Sequence, residues 1–487
     1  MDVRDKLLAF INSGKDVPLL AGFSMGIYLL LFYYAANYSL ANSLVQLLYL
    51  LAYYVVVPMA SLFIVYKFIG FTKFSRYKSH ALFIGMCLLF SYYILEINYI
   101  NFSKKRIFAI IVLVSILLSL KFSRYYKLLV LLLFFLSVFN LYSIMTIIWQ
   151  INTAPVVWQK IPDGIESATF KSRPNIYYLQ PDGYTSPDNL KSPIYNFDNK
   201  DFENFLNQDN FKVYNSYRSN YYSTLLSNAS MFAMKHHYSQ SDIDPYTARK
   251  VIISDNAVLR TLKHNNYKTH FITERPYLII NRPKMGFDDC NFDYATLPYF
   301  MDGWESNRNV FTDFKVQVNK SSKEGNFYFI EKIIPGHVAG NKPFSLGVQG
   351  ERESYISRVK EANIWLEQMI KYIDKKDPGA IVVIAADHGG FIGFEYLGEA
   401  EILTQDPVLK RSMFGALLAI RWNNPEYAGY DARLRTSVNL FRTIFSFLAE
   451  DKSYLNNLQK DESYMRTLHP NEVYKYIDAN GKISVKQ

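Results

Sequence analysis

Cysteine is nearly absent from this chain: two in 487 residues, Cys87 and Cys290. One lies in an apolar run and the other in a polar one, so no disulfide framework supports the fold, and the redox compartment stays open. Acidic residues are equally scarce over the first 150 positions. There, 13 Lys/Arg face four Asp/Glu, which leaves 40 against 39 of the chain's 53 basic and 43 acidic residues for everything that follows. Of the formal charge of +10, all but one unit therefore belongs to the first part. A near-neutral remainder argues against a nucleic-acid surface there. Internal repeats and low-complexity tracts are absent as well.

What the first part has is apolar length. Five runs, residues 17–40, 43–68, 81–100, 107–120 and 128–148, reach or approach the roughly 20 apolar residues that cross a bilayer core. A cleaved signal peptide would be one short run. With a cytoplasmic N-terminus, the inner segments carry Arg4, Lys6, Lys15, Lys67, Lys73, Arg76, Lys78, Lys121, Arg124 and Lys127, and the outer loops only Lys104, Lys105 and Arg106. That bias, with an odd number of spans, puts everything after Trp149 outside the cytoplasm. Trp149 and Trp158 suit the outer interface, and Glu96, the only acid within a span, reads as a snorkelling structural residue before a contact for an ion or head group. The expected division is a helical membrane domain over 1–150, a polar linker with Pro155 and Pro162 over 151–173, and a soluble domain over 174–487.

In the soluble part, IVVIAADHGG begins with a β-branched run at Ile381, too short for a helix, which predicts a strand buried on both faces of a parallel sheet. It ends in Asp387 and His388, both metal-binding types, where ligands gather in open α/β sheets. NIYYLQPDGY repeats the pattern and puts Asp182 at a second strand's carboxyl end. Two carboxylates and a histidine make a hard-to-borderline metal set. Thr224 opens a predicted helix, where backbone N–H groups and the dipole favour an anion, although an N-cap role alone also explains a hydroxyl there. KTHFIT and NFYFIE predict further strands, and PGHVAG places His337 in a glycine-flanked loop. Helical spacing from Ser354 leads into the IVVIAAD strand, and 416–420 and 434–448 predict one more strand and helix. This alternation implies α/β with a mainly parallel sheet.

PNIYYLQPDGYTSPDNL, NFDNKDFENFL, RSNYYSTLLSNASMFAM, ADHGG and TSVNLFRTIFSFL resemble, in that order and over about residues 174–450, the sulfatase-like branch of the alkaline phosphatase superfamily. Within it the pattern is similar to polytopic bacterial membrane enzymes such as lipoteichoic acid synthase and the lipid A phosphoethanolamine transferases. The resemblance implies an alkaline phosphatase-like fold in which Asp182, Thr224, Asp387 and His388 converge on one divalent metal, zinc or manganese ahead of magnesium. Thr224 would be the nucleophile, its T-x-x-S helix being similar to that of the phosphoethanolamine transferases, with Ser223 and Ser227 as rivals. Two positions depart from the pattern. Glu331 stands where relatives often carry a histidine, and PGHVAG is nearer the GHxxG of nucleotide pyrophosphatase-like members. His337 would then either ligate a second metal with Glu331 or His469, or bind the phosphate and protonate the leaving group. The second role is preferred, since a lone histidine is weak evidence for a whole metal site.

A divalent cation lowers the pKa of a threonine hydroxyl and draws charge from a phosphoryl oxygen, so attack on a phosphodiester would leave a phospho-threonine ester for a second acceptor. Sulfatases proper make formylglycine from Cys or Ser followed by x-P-x-R. Neither cysteine has that context, and Ser172 is followed by R-P-N-I. Five spans exceed what an anchor needs, which favours a membrane phospholipid as donor and an envelope glycan or glycolipid as acceptor. The expected location is the bacterial inner membrane, with the catalytic domain extracytoplasmic. The competing expectations are a metal-dependent phosphodiesterase of the same fold and a non-catalytic envelope scaffold. Arg275 is the candidate substrate contact, ahead of His270, His236 and His237.

Overall fold

The computed structural model describes residues 2–97, 104–154, 156–240, 243, 245–300, 302–323, 325–468 and 471–486. The chain forms two compact units, one of Met1–Thr153 with Pro298–Met301, the other of Ala154–Leu297 with Asp302–Gln487.

The first unit is helical. Its apolar helices are Pro18–Ala41, Leu44–Gly70, Lys78–Ile97, Lys104–Phe122 and Tyr126–Thr153. Counted as uninterrupted stretches, four are long and apolar enough to cross a membrane, the last running 54 residues through two of these helices. Residues 98–100 of the third expected span lie outside the described residues. Gly22 and Gly26 let the first two helices touch backbone to backbone: a Cβ at Gly22 would meet Met59 Cα at 2.5 Å, and one at Gly26 the Tyr54 carbonyl oxygen at 2.3 Å. This is the small-xxx-small solution to packing where no hydrophobic force separates helix from lipid. Leu44–Gly70 contains a π-helical turn at Ala52–Val56 just before Pro58, whose ring removes one i to i−4 hydrogen bond. Glu96 accepts a hydrogen bond from Tyr53 Oη at 2.7 Å, and Phe300 stacks on Tyr33 at 5.0 Å.

The second unit is built on a seven-stranded sheet. Its strands in chain order are β1 (Ile176–Pro181), β2 (Lys212–Val213), β3 (Lys268–Thr273), β4 (Asp289–Cys290), β5 (Asn326–Lys332), β6 (Ile381–Ala385) and β7 (Leu418–Arg421). They lie in the order β2-β7-β6-β1-β5-β3-β4, and only β7 runs against the rest. A smaller antiparallel sheet holds β8 (Ser463–Arg466), β9 (Val473–Ile477) and β10 (Ile483–Lys486). β1 and β6 are buried at every position, as expected of strands covered on both faces. Aromatic pairs set their register. Tyr177 stacks on its partner Tyr328 at 4.8 Å on one face, under Phe314 of helix Val310–Lys320. On the other face, Tyr178 and Phe329 meet Phe441 and Phe232, from helices Leu440–Ala449 and Thr224–Ala233. Each such buried ring contributes about 1.5–3 kcal/mol.

Part of the stretch expected as a linker over 151–173 packs onto this core. Trp158, Ile165 and Phe170 are buried, and Lys171 N–H donates to Leu448 O at 2.8 Å. Trp158 lies edge-on to His237 at 5.7 Å, so it fills a core position and not a membrane interface. The apolar side chains spaced among the prolines outweigh the polar character of the stretch.

Candidate active site

Strand register brings the chemistry together. β1 and β6 are parallel neighbours with Ile176 opposite Ile381, so Asp182 and Asp387, each six residues further on, emerge side by side at the sheet's carboxyl edge. Asp182 N–H donates to Lys332 O at 3.0 Å and Gly336 N–H to Asp182 O at 2.8 Å, which fastens the PGHVAG loop to the same edge. Gly183 adopts a φ of +66°, and a Cβ there would lie 2.2 Å from the Gly336 carbonyl oxygen, so glycine is required at this junction. Its N–H donates to Asp387 Oδ1 at 3.1 Å. Gly389 serves close packing, since a Cβ would meet the Ser412 carbonyl oxygen at 2.1 Å. The positive φ of that turn falls on Phe391.

Thr224 is the first residue of helix Thr224–Ala233, behind Ser223 at the cap. Its hydroxyl does not cap the helix: Oγ1 donates to Asp182 Oδ1 at 3.1 Å and lies 3.4 Å from His388 Nε2. The free N–H groups of the first turn and the positive end of the dipole face the same space, where an oxyanion is favoured. Of the rival hydroxyls, Ser227 Oγ is buried with no hydrogen-bond partner.

Asp182, Asp387 and His388 each present a ligand atom, all within 4.8 Å of one another. His388 Nδ1 donates to Gly389 O at 2.8 Å, which turns Nε2 toward the carboxylates. Asp387 Oδ2 lies 3.4 Å from that Nε2 and is buried without a hydrogen-bond partner. Burial and then the Asp387 charge push the Asp182 carboxyl up to about 7. Burial opposes a charge on His388, but Asp387 and Asp182 outweigh it and hold the imidazole above its ordinary value. Crowded carboxylates, an orphaned buried oxygen and an imidazole Nε2 turned toward them fit a divalent cation.

His337 Nδ1 donates to Val338 O at 2.7 Å, so Nε2 carries the lone pair, and its ring centre lies 5.9 Å from that of His388. Burial and the neighbouring His388 bring it down to about 4, so the ring is neutral. It borders an open cleft of roughly 370 Å³ together with Asp182, Thr224, Tyr277, Trp304 and Arg358. Arg358, on helix Gly347–Lys376, donates to Pro335 O at 2.6 Å and His337 O at 2.9 Å and so holds the loop. Sequence reasoning missed Arg358, Tyr277 and Trp304. Arg358 lies within a helix, Tyr277 in a short helical turn, and Trp304, although it follows Gly303 at φ +92°, is not a metal-ligating type, so no local pattern marks them.

Other expected contacts fall elsewhere. Glu331 is not free for a second metal: Tyr277 Oη and Gln180 Nε2 donate to Oε1 at 2.7 and 3.2 Å, and Thr273 Oγ1 to Oε2 at 2.9 Å. Burial lifts its carboxyl to about 8. His469 lies outside the described residues. Arg275 does not line the cleft; its guanidinium donates to Trp304 O and lies 5.7 Å over the Trp304 ring, one residue removed from the cleft. His236 and His237 pack around Tyr221, and His270 stacks on Tyr328.

No family model and no curated protein matches this chain. Solved structures similar to it include the C-terminal periplasmic domain of EcEptC from Escherichia coli in complex with Zn, at 13% identity over 64% of this chain and 96% of that one, TM-score 0.42. Another is lipooligosaccharide phosphoethanolamine transferase A from Neisseria meningitidis, an integral membrane protein, at 12% identity over 91% and 95%, TM-score 0.40. The putative sulfatase yidJ from Bacteroides fragilis gives 13% identity over 65% and 85%, TM-score 0.41.

Proposed function

We propose that this protein is a membrane-bound, metal-dependent transferase that moves a phospholipid-derived phosphoethanolamine or phosphoglycerol group through a phospho-threonine at Thr224 onto a cell-envelope glycan or lipid. The observation that carries the reading is the Thr224 hydroxyl at a helix N-terminus, 3.1 Å from Asp182 and 3.4 Å from His388, two of the three cation ligands. Asp182, Asp387 and His388 hold the cation, which when bound makes the hydroxyl more acidic and draws charge from the phosphoryl group. The apolar helices support a bilayer phosphodiester as donor, and five crossings, the 54-residue stretch counted as two, would put the N-terminus in the cytoplasm of a bacterial inner-membrane protein and the site outside.

In the first half, the Thr224 Oγ1–phosphorus bond forms while the phosphorus–oxygen bond to the diacylglycerol breaks. The threonine proton passes to His337 Nε2, which presents a lone pair, and from there to the departing oxygen. In the second half, the acceptor hydroxyl gives its proton to His337 as its oxygen takes the phosphorus, and Thr224 recovers a proton. The helix N–H groups bind the phosphoryl oxygens, and Arg358 keeps the His337 loop in place. Head-group-labelled phospholipid with a candidate acceptor tests the reading: label should reach the acceptor, and intact mass should show one phosphoethanolamine or phosphoglycerol adduct on Thr224. Label found only in a water-soluble hydrolysis product would instead make the protein a phosphodiesterase.

A further inference from the structure

A second cavity lies away from the cleft beside Thr224. It measures roughly 610 Å³ and is walled by the turn after β1, the turn after β2, the end of helix Pro407–Phe414 and the β9–β10 turn. Three arginines line it, Arg218, Arg411 and Arg435, with one carboxylate residue, Asp188. Among the described residues none of the three forms an ion pair.

Arg218 is the unusual one. It is 91% buried, yet its only acceptors are the backbone oxygens of Asp461 and Asp478, both bonded from Nη2. Its Nε is buried without a partner, and so is the hydroxyl of the neighbouring Tyr217. Gly481, at φ +80°, passes close to the guanidinium: a Cβ there would lie 3.9 Å from Nη1. Asp461 Oδ1 accepts from Thr436 Oγ1 at 2.6 Å and Asn439 Nδ2 at 3.1 Å. Burial and the neighbouring Arg435 disfavour the Arg218 charge more than the Asp461 and Asp478 carboxylates favour it, so a further anion beside it would be stabilised. Arg411 and Arg435, both exposed, add two flexible forks that match a phosphate or sulfate group. Between them lie Ser186, Ser192, Asn189 and Asn215, groups that both give and take hydrogen bonds, as sugar hydroxyls do.

We infer that this cavity binds an oxyanion carried on a saccharide, a phosphorylated or sulfated sugar unit, with Arg218 at its floor and Arg411 and Arg435 at its rim. The cavity's size suits a ligand of one or two sugar rings. It opens on the same carboxyl edge of the sheet as the cation ligands: Gly389 N–H donates to Met413 O at 2.8 Å, and Ser186 N–H to Gly415 O at 3.3 Å. Binding stands apart from the catalytic reading; only the assignment of this ligand as the acceptor rests on it.

The test titrates glucose 1-phosphate, glucose and inorganic phosphate calorimetrically into the full-length protein in detergent. Glucose 1-phosphate should bind saturably, at least tenfold tighter than either of the others. Arg435→Gln and Arg411→Gln, both at exposed positions where folding is not at stake, should each weaken it at least tenfold. Asp387→Asn should leave it unchanged. Equal binding of glucose, or of free phosphate, overturns the inference, as does indifference to both arginine substitutions. Binding lost in Asp387→Asn but kept in Arg435→Gln also overturns it, because the probe then sits at the cation site. Failure of the transferase assay alone would leave these affinities as they are, so the two readings fall separately.

Discussion

Asp387→Asn should change stability in opposite directions with and without metal. Asparagine keeps the shape and can accept the Gly183 N–H now bonded to Oδ1 at 3.1 Å, so packing is unaltered. What disappears is a buried negative charge whose ligand oxygen lies within 4.8 Å of that of Asp182. At an effective dielectric near 20, that repulsion is about 3 kcal/mol. Because the Asp182 carboxyl titrates at about 7, it is near half-protonated at neutral pH, and the nearby His388 offsets part of the rest. The variant should therefore be more stable in EDTA by about 1–2 kcal/mol, or roughly 2–4 °C in Tm. With zinc or manganese the order reverses. The wild type gains about 2.7 kcal/mol at a free metal concentration 100 times Kd, whereas a variant stripped of its anionic ligand gains almost nothing. Scanning fluorimetry of the detergent-solubilised protein, with chelator and then with metal, reads both halves. A variant less stable than wild type in EDTA, or one whose Tm still climbs with metal, would refute the assignment of Asp387 as a charge kept for a cation.

Thr224→Ala should abolish the adduct seen by intact mass and lower turnover by roughly 10³-fold or more, while the loss of one hydrogen bond costs only about 1 kcal/mol in urea denaturation. Ser227→Ala removes a buried hydroxyl with no partner, so it should be neutral or stabilise by up to about 1 kcal/mol and leave the adduct intact. Glu331 holds its proton up to about 8, against 4.5 ordinarily, so the folded state binds a proton that the unfolded chain releases. Its contribution is complete below about pH 4.5 and is lost as pH rises through about 8, up to roughly 5 kcal/mol, and Glu331→Gln should flatten that slope in urea midpoints taken in EDTA between pH 5.5 and 8.5. Gly183→Ala drives a Cβ into the Gly336 carbonyl and strains a positive φ, so it should cost more than about 2 kcal/mol in chemical denaturation and displace the His337 loop.

Much of this molecule was legible locally. Apolar runs of bilayer length, β-branched strands ending in an acid and a glycine, and a helix opened by threonine are short-range signals, because backbone geometry imposes the same period on every helix and strand. They marked four residues, Asp182, Thr224, Asp387 and His388, that the folded chain brings into one cluster. Tertiary structure alone decided the rest. The antiparallel direction of β7 is visible only in its pairing, and β8 to β10 form a sheet from strands that interleave polar with apolar residues and lack the continuous apolar run that marked β1 and β6. Trp158 looked like an interfacial residue because burial is settled by what packs above it, which composition does not record. Glu331 resembled a displaced ligand until the hydroxyls of Tyr277 and Thr273, 54 and 58 residues away, were seen to bind it. Arg358 and Arg218 gave no signal at all, since an arginine's role depends on which carbonyls and cavities lie within reach of its fork. Covalent neighbours fix which side chains stand at an element's end; only the folded chain fixes which ends meet, because a contact between distant segments carries no mark in either one.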